Sequence, residues 1–273
     1  MQTEDAIAQL DGKIVDIHGV RIHNVTRAET LSLLESMTSD HGKHLVVPVN
    51  PEMIMAARKR DDFRDVLNEA TLRLPDGIGV ILASRVIGNT IKERITGVDT
   101  VTSFARIAAQ RGLRFFLLGA APGIAERAGR ILQQQNPGFQ IAGTYSGSPS
   151  PEEEESICGR INSANADVLL VAYGAPKQEL WLHRNIGRLN VTVGMCVGGS
   201  FDFIAGVALR APRWMQAAGL EWLYRLIREP RRWRRMLALP RFALAVVKDR
   251  LTSIFRRRNV NFSIEQTKRP NNS

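Results

Sequence analysis

Short apolar runs alternate with amphipathic stretches along most of this chain. Residues 13–26 alternate apolar and polar side chains around Gly19, which predicts a small β-hairpin, and a helix is expected at about residues 27–38. Six later apolar runs predict buried strands at residues 45–49, 71–74, 114–118, 140–145, 167–172 and 191–197. Helical periodicity predicts helices at residues 51–58, 77–86, 100–110, 124–135, 151–163 and 177–184. This order predicts an α/β fold, in which a mostly parallel, Rossmann-like sheet is sandwiched by helices.

The strand signals stop at Gly206, and the rest of the chain is helical and rich in Arg and Trp. Trp and Leu recur there at helical spacing, and Pro230 and Pro240 are expected to divide the region into two or three short helices. We call residues 13–206 the body and residues 207–258 the appendage, which is amphipathic and Arg-rich. The flanking segments, residues 1–12 and 259–273, are expected to be flexible and disordered respectively.

Charge divides the chain at the same place. The 273 residues include 37 Lys+Arg and 27 Asp+Glu, which gives a net charge of +10. Residues 208–273 contain 16 basic and 4 acidic residues, a net charge of +12, so residues 1–207 carry −2. A segment this basic predicts an anionic partner, which is a nucleic-acid backbone, a membrane surface or an anionic group on a substrate.

Composition excludes several classes of protein. With 44% hydrophobic and 23% charged residues, the chain is globular rather than disordered. Cys158 and Cys196 lack metal-ligand spacing, so we expect reduced thiols in a cytoplasmic protein. Residues 1–11 do not have the pattern of a signal peptide. The longest apolar candidate, residues 236–247, is shorter than the roughly 20 residues of a membrane span and contains Pro240, so any membrane contact is expected to be peripheral.

Polar or glycine-containing loops follow five of the predicted strands. Because ligands bind beyond the carboxyl ends of strands in open α/β sheets, these loops are the candidate sites. They are NPE from Asn50, LPDGIG from Leu74, LGAAPG from Leu118, GAPKQE from Gly174 and GGSFDF from Gly198.

Each loop has a structural and a functional interpretation. Asn50, taken alone, is better explained as the cap of the next helix. Asp76 is equally consistent with a helix cap and with a general base, since its neighbouring glycines leave room for a ligand. Gly119 precedes a helix whose free N–H groups suit a diphosphate, although a tight turn uses the same residues. Lys177 opens a helix where an acid is usual, which favours an anionic ligand. Asp202 follows paired glycines that allow close approach of a ligand or a bulge.

Two absences narrow the chemistry. The chain has no D-x-D sequence, the carboxylate pair that commonly holds a divalent cation against a nucleotide diphosphate. Arg, Lys and helix dipoles would then have to neutralise any diphosphate. The five histidines lie outside the five loops, which argues against a His-based triad or metal site. We therefore expect neither a metal nor a cofactor.

Seven segments, in this order and spacing, resemble the WecG/TagA/CpsF family of bacterial glycosyltransferases: NPEMI, LPDGIG, ERITGVD, FFLLGAAPG, ADVLLVAYGAPKQE, GGSFDFIAG and RAPRWMQAAGLEWLYRLIREPRRW. The resemblance covers roughly residues 13–250. It implies an inverting, metal-independent enzyme that moves a sugar from a UDP-sugar onto a polyprenyl-diphosphate-linked sugar at the inner face of the membrane.

The resemblance also assigns roles to residues of the body. Asp76 matches the catalytic base, which deprotonates the acceptor hydroxyl, and Asn50 and Gln178 match residues that position the donor sugar and the acceptor. The chain departs from the family pattern at Pro48, where many members carry Thr. Proline has no hydroxyl, so it cannot make the donor-sugar contact of that Thr.

The remaining matches are charged residues. Arg94 matches an arginine of the pocket, and Asp202 matches an acidic residue near the nucleotide. Arginines of an appendage that closes over the active site and touches the membrane are matched by Arg225, Arg232 and Arg235. That membrane would be the inner face of the bacterial plasma membrane.

Two rival functions are weighed against the transferase. A nucleic-acid-binding module would use the appendage arginines on phosphates and stack bases on Trp214, Trp222 and Trp233. The apolar face at helical period instead favours an amphipathic helix in a bilayer interface or against the body. A nicotinamide oxidoreductase lacks its dinucleotide fingerprint. The sequence is also compatible with a homo-oligomer.

Overall fold

The architecture was analysed in a computed structural model. It describes residues 12–267 together with Ile7 and Leu10, and side chains up to residue 252. Most of the segment at residues 1–12, predicted to be flexible, and the last six residues of the predicted tail lie outside the described residues. Leu10 is buried in the core of the body.

A six-stranded parallel sheet forms the centre of the body, in the order β4-β3-β8-β7-β5-β6. Its strands are β3 (His44–Val49), β4 (Leu72–Pro75), β5 (Arg114–Gly119), β6 (Gln140–Tyr145), β7 (Val168–Ala172) and β8 (Val193–Cys196). Each lies within two residues of its predicted bounds. The prediction that β6 is buried is wrong, because it is an edge strand and none of its residues is buried. The predicted hairpin is also present, as β1 (Ile14–Ile17) paired antiparallel with β2 (Val20–His23). The predicted α/β fold is therefore confirmed.

Helices cover both faces of the sheet. They are α1 (Arg27–Met37), α2 (Pro51–Ala57), α3 (Asp61–Glu69), α4 (Ile78–Ile87), α5 (Gly97–Arg111), α6 (Ile124–Gln135), α7 (Pro151–Ser163), α8 (Lys177–Asn185) and α9 (Ser200–Ile204). Alternate residues of each strand point to opposite faces, so Leu169 and Val171 pack in one core and Val168 and Leu170 in the other. All four side chains are fully buried.

Three helices of the body differ from the sequence prediction, since α3 and α9 were not predicted and α5 begins early. α3 was not predicted, because its nine residues include four acids and only three buried apolar side chains. α5 begins at Gly97, three residues before its predicted start. Thr96 caps it, since the Thr96 side chain accepts a hydrogen bond from the Asp99 N–H at 3.2 Å.

The appendage consists of helices, which are α10 (Arg213–Ala217), α11 (Glu221–Arg228), α12 (Trp233–Met236) and α13 (Ala238–Thr267), with a 3₁₀ turn at Pro230–Arg232. The prediction that Pro240 separates two helices is wrong. Pro240 lies in the first turn of α13, where a missing backbone N–H costs no hydrogen bond. α13 also continues past residue 259, where a disordered tail was expected.

The long helix α13 packs against the body. Phe242 and Val246 are buried in the same core as α2 and α4. His18 Nδ1 lies 2.8 Å from Asp249 Oδ2, and Arg250 donates to the Ile87 carbonyl oxygen at 3.3 Å. In the part of the chain that the structure describes, no helix is both long and apolar enough to cross a bilayer.

Candidate active site

A cavity of about 300 Å³ opens at the carboxyl ends of four neighbouring strands, β4, β3, β8 and β7. Val49 of β3 is in register with Pro75 of β4, so the next residues, Asn50 and Asp76, lie side by side at this edge. Seven of the residues singled out from the sequence line the cavity, namely Asn50, Asp76, Arg94, Gln178, Arg225, Arg232 and Arg235.

Asp76 is held by the backbone on both sides. Its N–H donates to the Val49 carbonyl oxygen at 2.9 Å, and the Pro75 carbonyl oxygen accepts from the Ile95 N–H at 2.9 Å. Gly77, with φ of +86°, turns the chain directly after it into α4. Burial raises the pKa of Asp76 to about 7, against the opposing effect of the Arg94 charge. A carboxyl group with this pKa can accept a proton near neutral pH.

Arg94 belongs to a network of four charged residues that connects the body to the appendage. Arg94 lies 3.9 Å from Glu221 of α11 and donates to the Gln216 carbonyl oxygen at 3.2 Å. Glu221 in turn accepts from Arg210 Nε at 3.0 Å, and a second guanidinium nitrogen of Arg210 bonds to Asp99 of α5. The Glu221 charge raises the pKa of Asp76, whereas the Arg94 charge lowers it.

Asn50 and Gln178 both face the cavity while bonding to backbone groups. Asn50 Oδ1 accepts from the Met53 N–H at 3.1 Å, so its predicted role as the cap of α2 is confirmed. Gln178 Oε1 accepts from the N–H groups of Gly174 and Gly198, each at 3.0 Å. Since Gly174 follows β7 and Gly198 follows β8, one carboxamide joins the two loops.

Three arginines of the appendage, Arg225, Arg232 and Arg235, also line the cavity. Arg225 and Arg232 both pair with Glu229, and the Arg225 guanidinium lies 4.8 Å from the centre of the Phe203 ring. Arg235 reaches the body, where it bonds to Glu52 of α2 at 2.9 Å. The cavity is therefore lined by the Asp76 carboxyl group and by three arginines, which pair with Glu229 and Glu52.

The chain was then compared with known proteins. The family model described as "Glycosyl transferase WecG/TagA/CpsF family" matches residues 15–256, which is most of the chain. The chain belongs to this glycosyltransferase family. It is therefore an enzyme of glycan biosynthesis, as the sequence resemblance predicted.

Curated relatives of this transferase carry a more specific name, N-acetylglucosaminyldiphosphoundecaprenol N-acetyl-beta-D-mannosaminyltransferase. The relative from Bacillus subtilis (strain 168) is 36% identical over 234 residues, which cover 85% of this chain and 91% of the relative. The relative from Staphylococcus aureus (strain MW2) is 30% identical over 236 residues, covering 86% and 92%. These relatives are named for an acceptor linked to a polyprenyl diphosphate.

Three residues that the sequence analysis proposed for this transferase lie outside the cavity lining. Gly119 ends β5, beyond β7 in the sheet, and a Cβ there would lie 2.8 Å from the Ala172 carbonyl carbon. Close strand packing therefore accounts for that glycine. Lys177 is exposed on the first turn of α8. Asp202 is half-buried beside Arg225 and Arg232, and burial raises its pKa.

Sequence reasoning missed the carboxylates that pair with the cavity arginines. Glu52, Glu221 and Glu229 each contact an arginine of the site, and Glu179 contacts Gln178. Glu52 and Glu221 lie inside the segments that carry the family resemblance, so the sequence did mark these two positions as part of the family motifs. The sequence could not reveal the pairing, because Glu52 and Arg235 are 183 residues apart.

Proposed function

We propose that this transferase moves a sugar from a UDP-sugar to a polyprenyl-diphosphate-linked glycan in the synthesis of a bacterial surface or extracellular polysaccharide. The donor sugar is a hexose, N-acetylmannosamine or its uronic acid. One observation carries the proposal: Asp76, with a pKa of about 7, lines the same cavity as Arg225, Arg232 and Arg235. The names of the relatives support the acceptor class.

In the proposed reaction, Asp76 is the general base. It accepts the proton of the acceptor hydroxyl, whose oxygen forms a bond to the anomeric carbon as the bond from that carbon to the UDP oxygen breaks. A single displacement of this kind inverts the anomeric configuration and requires no covalent intermediate. Asn50 and Gln178 position the donor sugar and the acceptor, with Arg94 beside Asp76.

UDP leaves with negative charge on its diphosphate, and the appendage arginines stabilise that charge. Guanidinium groups suit phosphate oxygens because they offer several N–H donors in a fixed plane. Asp202 stands beside these arginines and is proposed to contact the nucleotide. Gly119 and Lys177 lie outside the cavity lining, so a diphosphate contact at Gly119 and an anionic ligand at Lys177 stay predictions.

The reaction is proposed to need no metal ion. The three arginines offer the positive charge that a divalent cation supplies in other transferases. Among the residues that the structure describes, no group of three or more His, Cys, Asp or Glu side chains is arranged to hold a metal. Metal independence stays a prediction that a chelator tests.

We infer that the enzyme works on the inner face of the plasma membrane, attached peripherally. Within the described part of the chain, all large hydrophobic side chains that are exposed lie on α4 or after Gly206. α4 and α13 pack against each other, and their exposed large hydrophobic residues are Leu82, Val86, Leu244, Val247 and Leu251. The same two helices carry the exposed basic residues Arg85, Arg241 and Lys248, as expected for contact with an anionic leaflet.

Nucleic-acid binding is the rival for the same basic region. The contacts of the arginines favour the transferase, because Arg225 and Arg232 face the cavity and Arg235 bonds to Glu52. A homo-oligomer at the membrane is compatible with the proposal.

The substitution Asp76→Asn tests the proposed function. Purified wild-type and variant enzymes are assayed with a panel of UDP-sugars and a polyprenyl-diphosphate-linked N-acetylglucosamine acceptor. Loss of the base is expected to lower kcat by about 10² to 10⁴-fold, while the variant stays folded. Asp65→Asn, an exposed site on α3, is the matched control and is expected to keep wild-type turnover. Unchanged turnover in Asp76→Asn contradicts the assignment.

A further inference from the structure

Glu179 lies directly behind the part of the cavity wall that Gln178 forms. Its side chain is fully buried on the first turn of α8, and Glu179 Oε1 accepts a hydrogen bond from Gln178 Nε2 at 2.7 Å. Within the described residues, Glu179 Oε2 has no hydrogen-bond partner. Burial raises the pKa of Glu179 to about 7.

Ordinary helix capping does not explain this carboxyl group. An acidic side chain in the first turn of a helix stabilises the N-terminus when it is exposed to water, whereas a fully buried carboxyl with an unpartnered oxygen destabilises the fold. An apolar side chain of the same size would fill the space without that cost. The contact with Gln178 is therefore the feature that needs the carboxyl group.

The contacts of Gln178 fix which way its carboxamide points. Two backbone N–H groups, from Gly174 and Gly198, point at Oε1, and the Glu179 carboxyl oxygen lies against Nε2. Turning the amide over would place its NH₂ group against two donors and its oxygen against the Glu179 oxygen. Nε2 carries two hydrogens, so one remains for a ligand in the cavity that Gln178 lines.

We propose that Glu179 is a positioning residue of the transferase. By accepting one Nε2–H bond, it keeps the Gln178 oxygen on the two loop amides and the second Nε2–H directed to the substrate. This inference rests on the proposed function only in that Gln178 contacts a substrate. Glu179 itself touches no substrate, because it is fully buried.

Two substitutions separate positioning from a structural role. Glu179→Met removes the acceptor and fills the space with an apolar chain, whereas Glu179→Gln keeps an acceptor oxygen of similar reach. Glu179→Met is expected to lower kcat about tenfold, as the loss of a buried hydrogen bond does, with an equal or higher Tm. Glu179→Gln is expected to keep kcat within a factor of about two to three. Glu155→Met, at an exposed glutamate on α7, is the matched control and is expected to change neither quantity.

A double substitution tests whether Glu179 acts through Gln178. In a Gln178→Ala background, Glu179→Met is expected to have little further effect on kcat, because the group that it orients is gone. Multiplicative effects of the two substitutions would overturn the proposal. The proposal would also be overturned if Glu179→Met kept the wild-type kcat, or if Glu179→Gln lowered kcat as much as Glu179→Met does.

Hydrogen–deuterium exchange gives a readout that needs no turnover. Glu179→Met is expected to speed exchange at Gly174 and Gly198, whose N–H groups bond to Gln178, while Glu179→Gln exchanges as the wild type does. Unchanged exchange in Glu179→Met contradicts the proposal. If wild-type enzyme transferred no sugar to any acceptor, the proposed function would fail, and the exchange data would still decide the role of Glu179. Glu179→Leu replaces Glu179→Met if the latter does not fold.

Discussion

Arg210 donates to Glu221 across 3.0 Å, and the same guanidinium bonds to Asp99 of the body. Glu221 begins α11, the helix that carries Arg225, so this contact seats the appendage on α5. Glu221 also lies 3.9 Å from Arg94, which stands beside Asp76. Arg210, which precedes the first helix of the appendage, therefore belongs to a network that connects the candidate base with the helix that carries Arg225.

The substitution Arg210→Met tests this connection. We expect kcat/KM to fall about tenfold, since two hydrogen bonds between charged groups are lost and α11 is held less firmly. Trypsin is expected to cleave the appendage faster, because local opening exposes its arginines. Arg106→Met, at an exposed arginine of α5, is the control. Wild-type kcat/KM together with wild-type cleavage in Arg210→Met would contradict this role.

The pH dependence of turnover follows from the pKa of Asp76. A general base must be deprotonated, so kcat/KM is expected to rise with pH through about 7 and then level off. Arg94 lowers this pKa, so Arg94→Met is expected to move the midpoint to higher pH. Initial rates from pH 5.5 to 9 measure both curves. A flat wild-type profile across this range would exclude Asp76 as the titrating base.

Asp76 is expected to reduce stability at neutral and alkaline pH. Burial raises its pKa from 3.8 to about 7, so between these values the folded state binds more protons than the unfolded state. The free energy of unfolding therefore falls as pH rises from about 4 through 7. Asp76→Asn removes this titration, so its Tm is expected to exceed the wild-type Tm by more at pH 8 than at pH 4.5. The same Tm difference at both pH values would contradict the raised pKa, and Asp65→Asn is the control.

The apolar face of α4 and α13 is expected to bind anionic vesicles. Replacing Leu82 or Leu244 with Glu places a charge on this face, and each substitution is expected to weaken vesicle binding about tenfold. Gln134→Glu on α6 adds the same charge elsewhere and is the control. Wild-type binding is expected to weaken as salt rises. Vesicle binding unchanged in both variants, with a gel shift of an oligonucleotide, would favour the nucleic-acid rival.

Removal of divalent cations is expected to leave turnover unchanged. The proposed mechanism stabilises the leaving diphosphate with Arg225, Arg232 and Arg235, so excess EDTA should keep kcat within a factor of about two. The measurement compares initial rates in EDTA and in added Mg²⁺. Loss of activity in EDTA that Mg²⁺ restores would contradict metal independence.

Most of the fold could be predicted because its signals are local. Strand runs such as residues 45–49 are apolar and short, and the cap residue Asn50 follows directly, so this strand was located from its own neighbourhood. α3 was missed because its acids outnumber its buried apolar residues. Pro240 was misread because its effect depends on its position in the helix, and the sequence did not show that α13 begins two residues before it.

The candidate site could be predicted only in part. Asn50, Asp76 and Gln178 follow strands, and the carboxyl ends of parallel strands share one edge, so their proximity was expected. Gly119 follows a strand too, but that strand, β5, lies beyond β7 in the sheet and therefore outside the four strands that form the cavity. No local sequence pattern specifies the order of the strands in the sheet. The same is true of Glu52 and Glu221, because their arginine partners in the site, Arg235 and Arg94, lie far from them in the sequence.

The sequence by itself determined the alternation of strands and helices, the division into a nearly neutral body and a basic appendage, and the family. These follow from periodicity, charge and motif spacing, all of which are properties of neighbouring residues. Only the tertiary structure decided that Asp76 is buried enough for a pKa of about 7, and that Glu179 lies behind Gln178. Desolvation and hydrogen bonding depend on what surrounds a group in space, and that surrounding comes from segments far apart in the chain.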